Sequence, residues 1–165
     1  MADFIPKYFW VLGIAITFLN VFLMWTRIRG KMKNPDLSKG YQQLMQGYLM
    51  VMIIPWLIMG VGITSGMAEG VFDFVNIRSD QFIVQTFFGY ILGVWIVGFY
   101  WIFFRKGAEF IERHPGALQM RFFVFRANTA ISVKIFYVLF LLGIIFVFFV
   151  LYNTNFGYTT GVFAP

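Results

Sequence analysis

Glu109, Glu112 and His114 are the residues of this 165-residue chain best suited by type and spacing to do chemistry. Carboxylates three residues apart share one face of a helix, and with an imidazole they form a donor set for a divalent cation. Pro115 and Gly116 follow at once, so a helix carrying these acids, as a continuation of the apolar run before it, ends at the histidine. Arg105, Lys106 and Arg113 stand close enough in sequence to pair with the acids. The expected outcome is a solvated helix end rather than a metal centre.

The remaining polar side chains with possible roles lie inside long apolar runs: Thr17, Asn20, Gln85 and Thr86. Ion and proton pathways through a bilayer usually rest on buried charge, and the cores of these runs contain no Asp, Glu, Arg or His. Hydrogen bonding between neighbouring helices is the expected use of all four. Asn20, Gln85 and Thr86 are also the groups that would line a pore. Trp56 and Trp95 fall near the middle of their runs, away from the interfacial positions tryptophan prefers. They either line a pocket for an apolar ligand or fill space beside Pro55 and the neighbouring glycines, and filling space is expected. Nucleophile, phosphate-loop and zinc motifs are all missing. With no cysteine, disulfides, thiolate metal sites and a cysteine nucleophile are excluded. No catalytic residue and no cofactor can be named.

These groups must be positioned by elements of a particular kind. Hydrophobic residues make up 60% of the chain and charged ones 12%, with mean hydropathy +0.77; soluble domains carry about 25% charge. Four apolar runs, residues 8–26, 44–64, 82–104 and 131–152, are each near the ~20 residues that cross a bilayer. The reading is an all-α integral membrane protein: four transmembrane helices in a bundle, one membrane domain over residues 1–165. Pro55 predicts a kink in the second helix. Asn34-Pro35 reads as a break, with Asp36 or Ser38 capping the helix that follows. No positively charged leader or small-residue cleavage site precedes or follows the first run, so no cleaved signal peptide is expected.

The net charge of +6 could suggest nucleic acid, but the bases crowd the ends of apolar runs. Residues 27–43 hold five Lys+Arg and residues 105–134 hold six, against only Lys7 and Arg78 in the other segments. The positive-inside bias then puts both basic segments in the cytoplasm and both termini outside, as in a bacterial inner membrane. Arg27, Arg29, Lys31, Lys33, Arg105, Lys106, Arg121 and Arg126 become a cytoplasmic surface for lipid headgroups or a partner. Residues 117–128 interleave Leu118, Phe122, Phe123 and Phe125 with two of these arginines, which suits a segment lying in the interface. Lys134, one turn inside the fourth run, is expected to snorkel to the headgroups. Gly60, Gly62 and Gly66 end the second run and Gly89 and Gly93 sit in the third. Small residues let helix backbones approach, so these are expected packing seams, within one chain or between copies of a homo-oligomer.

Residues 27–55, RIRGKMKNPDLSKGYQQLMQGYLMVMIIP, resemble the first cytoplasmic loop and second helix of the MAPEG family, the membrane-associated eicosanoid and glutathione enzymes. Arg29, Gly30, Lys31, Asn34, Pro35, Asp36 and Tyr41 carry the resemblance. It implies a trimer of four-helix chains that binds glutathione near its cytoplasmic side. The chain departs from the family where that ligand is held: Ser38-Lys39 replaces a Glu-Arg pair, and Gln42, Gln46 and Leu49 replace Arg, Asn and Glu. The leading expectation is therefore a non-catalytic structural or accessory subunit that forms a complex. An oligomeric channel or transporter for a small ion or lipophilic solute comes second, and a glutathione-dependent transferase third.

Overall fold

The computed structural model describes residues 4–117 and 129–153, and among these it is helical with no strand. Five α-helices follow in order: α1 (Phe4–Ile28), α2 (Pro35–Thr64), α3 (Phe82–Phe104), α4 (Gly107–Arg113) and α5 (Ala130–Asn153). Short 3₁₀ turns, Lys31–Lys33 and Val71–Val75, lie in the first two connections. α1, α2, α3 and α5 are each long and apolar enough to cross a membrane. At about 1.5 Å per residue, the 23 residues of α3 cover the roughly 30 Å of hydrocarbon.

α2 begins well before the apolar run it contains. Asn34, not Asp36 or Ser38, is its cap: the Asn34 side chain accepts the Asp36 backbone N–H at 3.0 Å. Pro35 occupies the first helical position, where a missing N–H costs nothing, and its demand for an extended predecessor is met by Asn34 at ψ 117°. The same dipeptide that reads as a break is thus a start. The 30 residues of α2 span about 45 Å, so its polar first turns extend beyond the apolar stretch. Pro55 is accommodated inside this one helix.

α3, by contrast, stops at the apolar boundary and does not continue through Glu109. The chain breaks at Arg105 and Lys106, and Lys106 takes a left-handed conformation with φ 56°. α4 then starts on Gly107, which lies beneath Trp101; a Cβ there would stand 2.6 Å from the indole ring.

Buried side chains gather in two clusters. One joins the end of α1, the start of α2, the end of α3, α4 and the start of α5 through Met24, Ile28, Tyr41, Leu44, Ile102, Ala108, Ile111 and Val133. The other joins the end of α2, the turn Val71–Val75 and the start of α3 through Met59, Ile63, Phe74, Ile83 and Val84, with Trp10 from the first turns of α1 packed against it. Successive long helices therefore run antiparallel, and one extremity collects the described bases of both charged segments, Arg121 and Arg126 lying outside the described residues. At the opposite extremity the Arg78 guanidinium lies 4.4 Å from the Tyr152 ring centre, joining the connection before α3 to the end of α5. Val133 is the one buried residue of α5, and between Lys134 and Asn153 the helix exposes mainly apolar side chains suited to lipid.

Candidate functional site

The basic extremity is assembled around His114, which is only 6% exposed. Its Nδ1 lies 2.7 Å from the Phe110 carbonyl, so this nitrogen carries a proton and donates. The ring stands edge-on to Tyr41, centroids 5.0 Å apart, and tilted against Phe110 at 4.5 Å. Its Nε2 edge rests on Gly40, in the space that any Cβ would fill. The next residue is fixed as well: the Pro115 carbonyl accepts from the Lys31 ammonium at 2.7 Å and from the Tyr41 hydroxyl at 3.0 Å. Gly116, at φ 94°, then turns the chain beneath Lys31, a conformation that glycine adopts freely. The His-Pro-Gly run ends α4, as its sequence predicts, and it is also clamped by the first connection and the start of α2.

Glu109 does not pair with Arg105, Lys106 or Arg113. Its partner is Lys134, at 2.9 Å, because α4 lies against the first turns of α5. Lys134, one turn inside α5, thus reaches across to a carboxylate of α4. Glu112 is exposed. The two acids and His114 do not converge: Glu109 faces α5, while His114 faces Gly40. Among the described residues no group of three or more His, Cys, Asp or Glu is placed to hold a metal ion.

The Lys134 hydrogen bond holds the Glu109 carboxyl below its ordinary value of 4.5. A depressed carboxylate pKa stabilises the docked form above the free value, and that stabilisation is lost as pH falls through the folded value. Docking of α4 on α5 is therefore expected to loosen only below about pH 4.5. Hydrogen exchange across residues 107–113 as a function of pH tests this, and Glu109→Gln should abolish the acid-dependent part.

Comparisons with protein families, curated proteins and solved structures find no match for this chain.

The other sequence-derived candidates are dispersed. Trp56 sits between α1 and α2, filling the groove left by Gly13 and edge-on to Phe9 at 6.0 Å. Trp95 belongs to a different seam, edge-on to Phe148 of α5 at 5.5 Å, with its carbonyl accepting from the Tyr137 hydroxyl at 2.7 Å. Asn20 is exposed, two turns from the basic end of α1 and within hydrogen-bond reach of the Tyr48 hydroxyl. Gln85 and Thr86 are exposed in the first turns of α3, at the opposite end, and the Thr86 hydroxyl donates to the Phe82 carbonyl. The three do not form one polar ring.

Gly60 packs under Trp10, and Gly62 packs against Ile83 and Phe74. Gly66 serves a turn at φ 76°, while Gly89 and Gly93 have open space where a Cβ would stand. The closest glycine seats, Gly13, Gly40, Gly98 and Gly107, each lie under an aromatic or imidazole ring. Helical spacing predicts none of these pairs except through the general enrichment of glycine at close contacts.

Lys31 is committed to Pro115, and Arg105 caps α3 through its backbone N–H to the Trp101 carbonyl. Lys106 forms the left-handed link. Arg27, Arg29 and Lys33 line an open concavity. Arg121 and Arg126 lie outside the described residues.

Proposed function

We propose that this chain is a non-catalytic, complex-forming subunit of a bacterial inner membrane, with both termini outside the cytoplasm. One observation carries the reading. The polar groups that could do chemistry at the basic extremity are turned onto the chain itself: His114 to Phe110, Lys31 and Tyr41 to Pro115, and Glu109 to Lys134. They fasten elements of the chain together. Lys31 and Tyr41, two of the positions shared with the glutathione enzymes, are used this way. Further support comes from α3, whose Gly89 and Gly93 meet nothing within 4 Å and leave room for a neighbouring helix to approach closely.

The test is the mass of the particle extracted in mild detergent, measured with its activity in liposomes. A particle of fixed composition larger than one chain, carrying no ion flux and retaining no glutathione, is expected. A single chain, or flux altered by Asn20→Ala or Gln85→Ala, would overturn the reading.

Orientation has its own measurement, made clean by the absence of native cysteine. Lys106→Cys is expected to react with an impermeant maleimide only after cells are opened, and Ser79→Cys in intact cells. The reverse pattern refutes the positive-inside assignment.

A further inference from the structure

We propose that the concavity at the basic end of α1 binds the phosphate of an anionic phospholipid headgroup. It is an open cavity of about 590 Å³ lined by Thr26, Arg27, Arg29, Gly30 and Lys33. The sequence brings these residues together because α1 ends at Ile28 and the chain folds back through the 3₁₀ turn Lys31–Lys33. Three cationic side chains therefore surround one hollow, with no acid in its lining.

The charges are oriented by their surroundings. Arg27 donates through Nε to the Leu23 carbonyl at 3.0 Å, and Thr26 donates to the same carbonyl at 2.9 Å. The Arg29 guanidinium lies 5.9 Å from the centre of the Trp25 ring. Lys31, the remaining base of this turn, is occupied at Pro115 and is not part of the lining. Among the described residues, no carboxylate lies within ion-pair reach of Arg29 or Lys33. Asp36, the nearest acid in sequence, is exposed on the first turn of α2. Gly30 has nothing within 4 Å of where a side chain would begin, so the rim stays open.

An arginine fork and a neighbouring ammonium match phosphate oxygens, which accept two parallel bonds from a guanidinium. Location supplies the rest of the ligand. Leu23 and Trp25 are exposed on the apolar helix just below the hollow, where acyl chains would lie, and tryptophan favours the headgroup level. Basic pockets on the cytoplasmic side of membrane helices suit anionic headgroups, at about 1 kcal/mol per base. A zwitterionic headgroup offers the same phosphate but brings a cation into a hollow that already holds three. The site should therefore select lipids of net negative charge. General positive-inside charge would put bases at this end without gathering them, so Arg105 and Lys106, at the same extremity but outside the lining, are the internal control.

The experiment uses the full chain in mild detergent, with bound lipid counted by native mass spectrometry during titration with phosphatidylglycerol or phosphatidylcholine. Phosphatidylglycerol is expected to bind preferentially. The double substitution Arg29→Gln with Lys33→Gln should weaken it by about thirtyfold, roughly fivefold for each base removed. Arg105→Gln with Lys106→Gln should leave it unchanged, and Arg29→Lys should give an intermediate loss because it keeps charge but not the fork. Tryptic cleavage after Arg113 reports whether each variant keeps the fold. Equal loss in both double variants would mean diffuse attraction and overturn the site, as would equal binding of phosphatidylcholine. Millimolar inorganic phosphate displacing the lipid would identify a soluble-phosphate site instead and equally overturn the proposal.

Discussion

Gly40→Ala is expected to destabilise the protein by about 1–3 kcal/mol, the usual cost of forcing extra volume into a packed site. The direction is informative because the same change in a helix interior ordinarily stabilises by up to about 1 kcal/mol. At Gly40 the new methyl group would overlap the His114 ring. That ring is not a loose side-chain end free to swing aside: it is held by the Phe110 carbonyl and lies against Tyr41 and Phe110. The strain should therefore appear as undocking of α4, with faster tryptic cleavage after Arg113. Gly47, in the same helix with nothing within 4 Å, is the control, and Gly47→Ala should be neutral or stabilising. Adding His114→Ala to Gly40→Ala should recover much of the loss, since it removes the group the methyl strikes. Equal effects at positions 40 and 47 in denaturant unfolding would mean that the His114 seat contributes nothing.

The second large effect is expected at Gly13→Ala, again about 1–3 kcal/mol, because its methyl group would fall within the Trp56 indole. Here the seam is between α1 and α2, among the side chains of the apolar spans, and Trp56 is additionally braced by Phe9. Near-ultraviolet circular dichroism should lose the signal of a fixed indole, and unfolding should shift to lower denaturant. Gly143→Ala on α5, which faces open space, should show neither change. If the two variants behave alike, α1 and α2 are not held together by this contact.

Both predictions rest on pairs far apart in sequence, and this marks how much of the molecule could be read from the chain. The apolar run of residues 82–104 is bounded by polar residues on each side, and α3 starts and stops at those same positions. A helix in lipid must satisfy its backbone internally, so hydropathy and helix coincide there. Hydropathy says nothing about a helix that continues into polar territory, and there only the capping residues after the break marked the start of α2, with the cap falling on Asn34 and not on Asp36 or Ser38. Asn34-Pro35 looks the same whether it ends one element or begins another; the Asn34 side-chain hydrogen bond to Asp36 decides it. The end of α4 at Arg113 follows from His-Pro-Gly, a local signal. The clamp on that run does not, because Gly40 and Tyr41 carry no mark pointing to residues more than seventy positions away. The acids illustrate the same limit. Sequence neighbours suggested Arg105, Lys106 and Arg113 as partners, whereas the left-handed turn at Lys106 redirects α4 toward α5 and delivers Glu109 to Lys134.

The clamp on Pro115 also fixes an order of events. Lys31 and Tyr41 are 84 and 74 residues upstream of the carbonyl they bind. At about 5–20 residues per second of synthesis, Lys31 leaves the ribosome roughly 4–17 s before its acceptor does. During that interval α1, α2 and α3 can all enter the membrane with the basic extremity still open. Closure of that extremity is then a late step, available only once α4 has been made. A chain truncated before Pro115 and released should therefore insert its first three spans yet keep Lys31 more reactive to amine-directed labelling than it is in the full chain, where its ammonium is bonded to the Pro115 carbonyl.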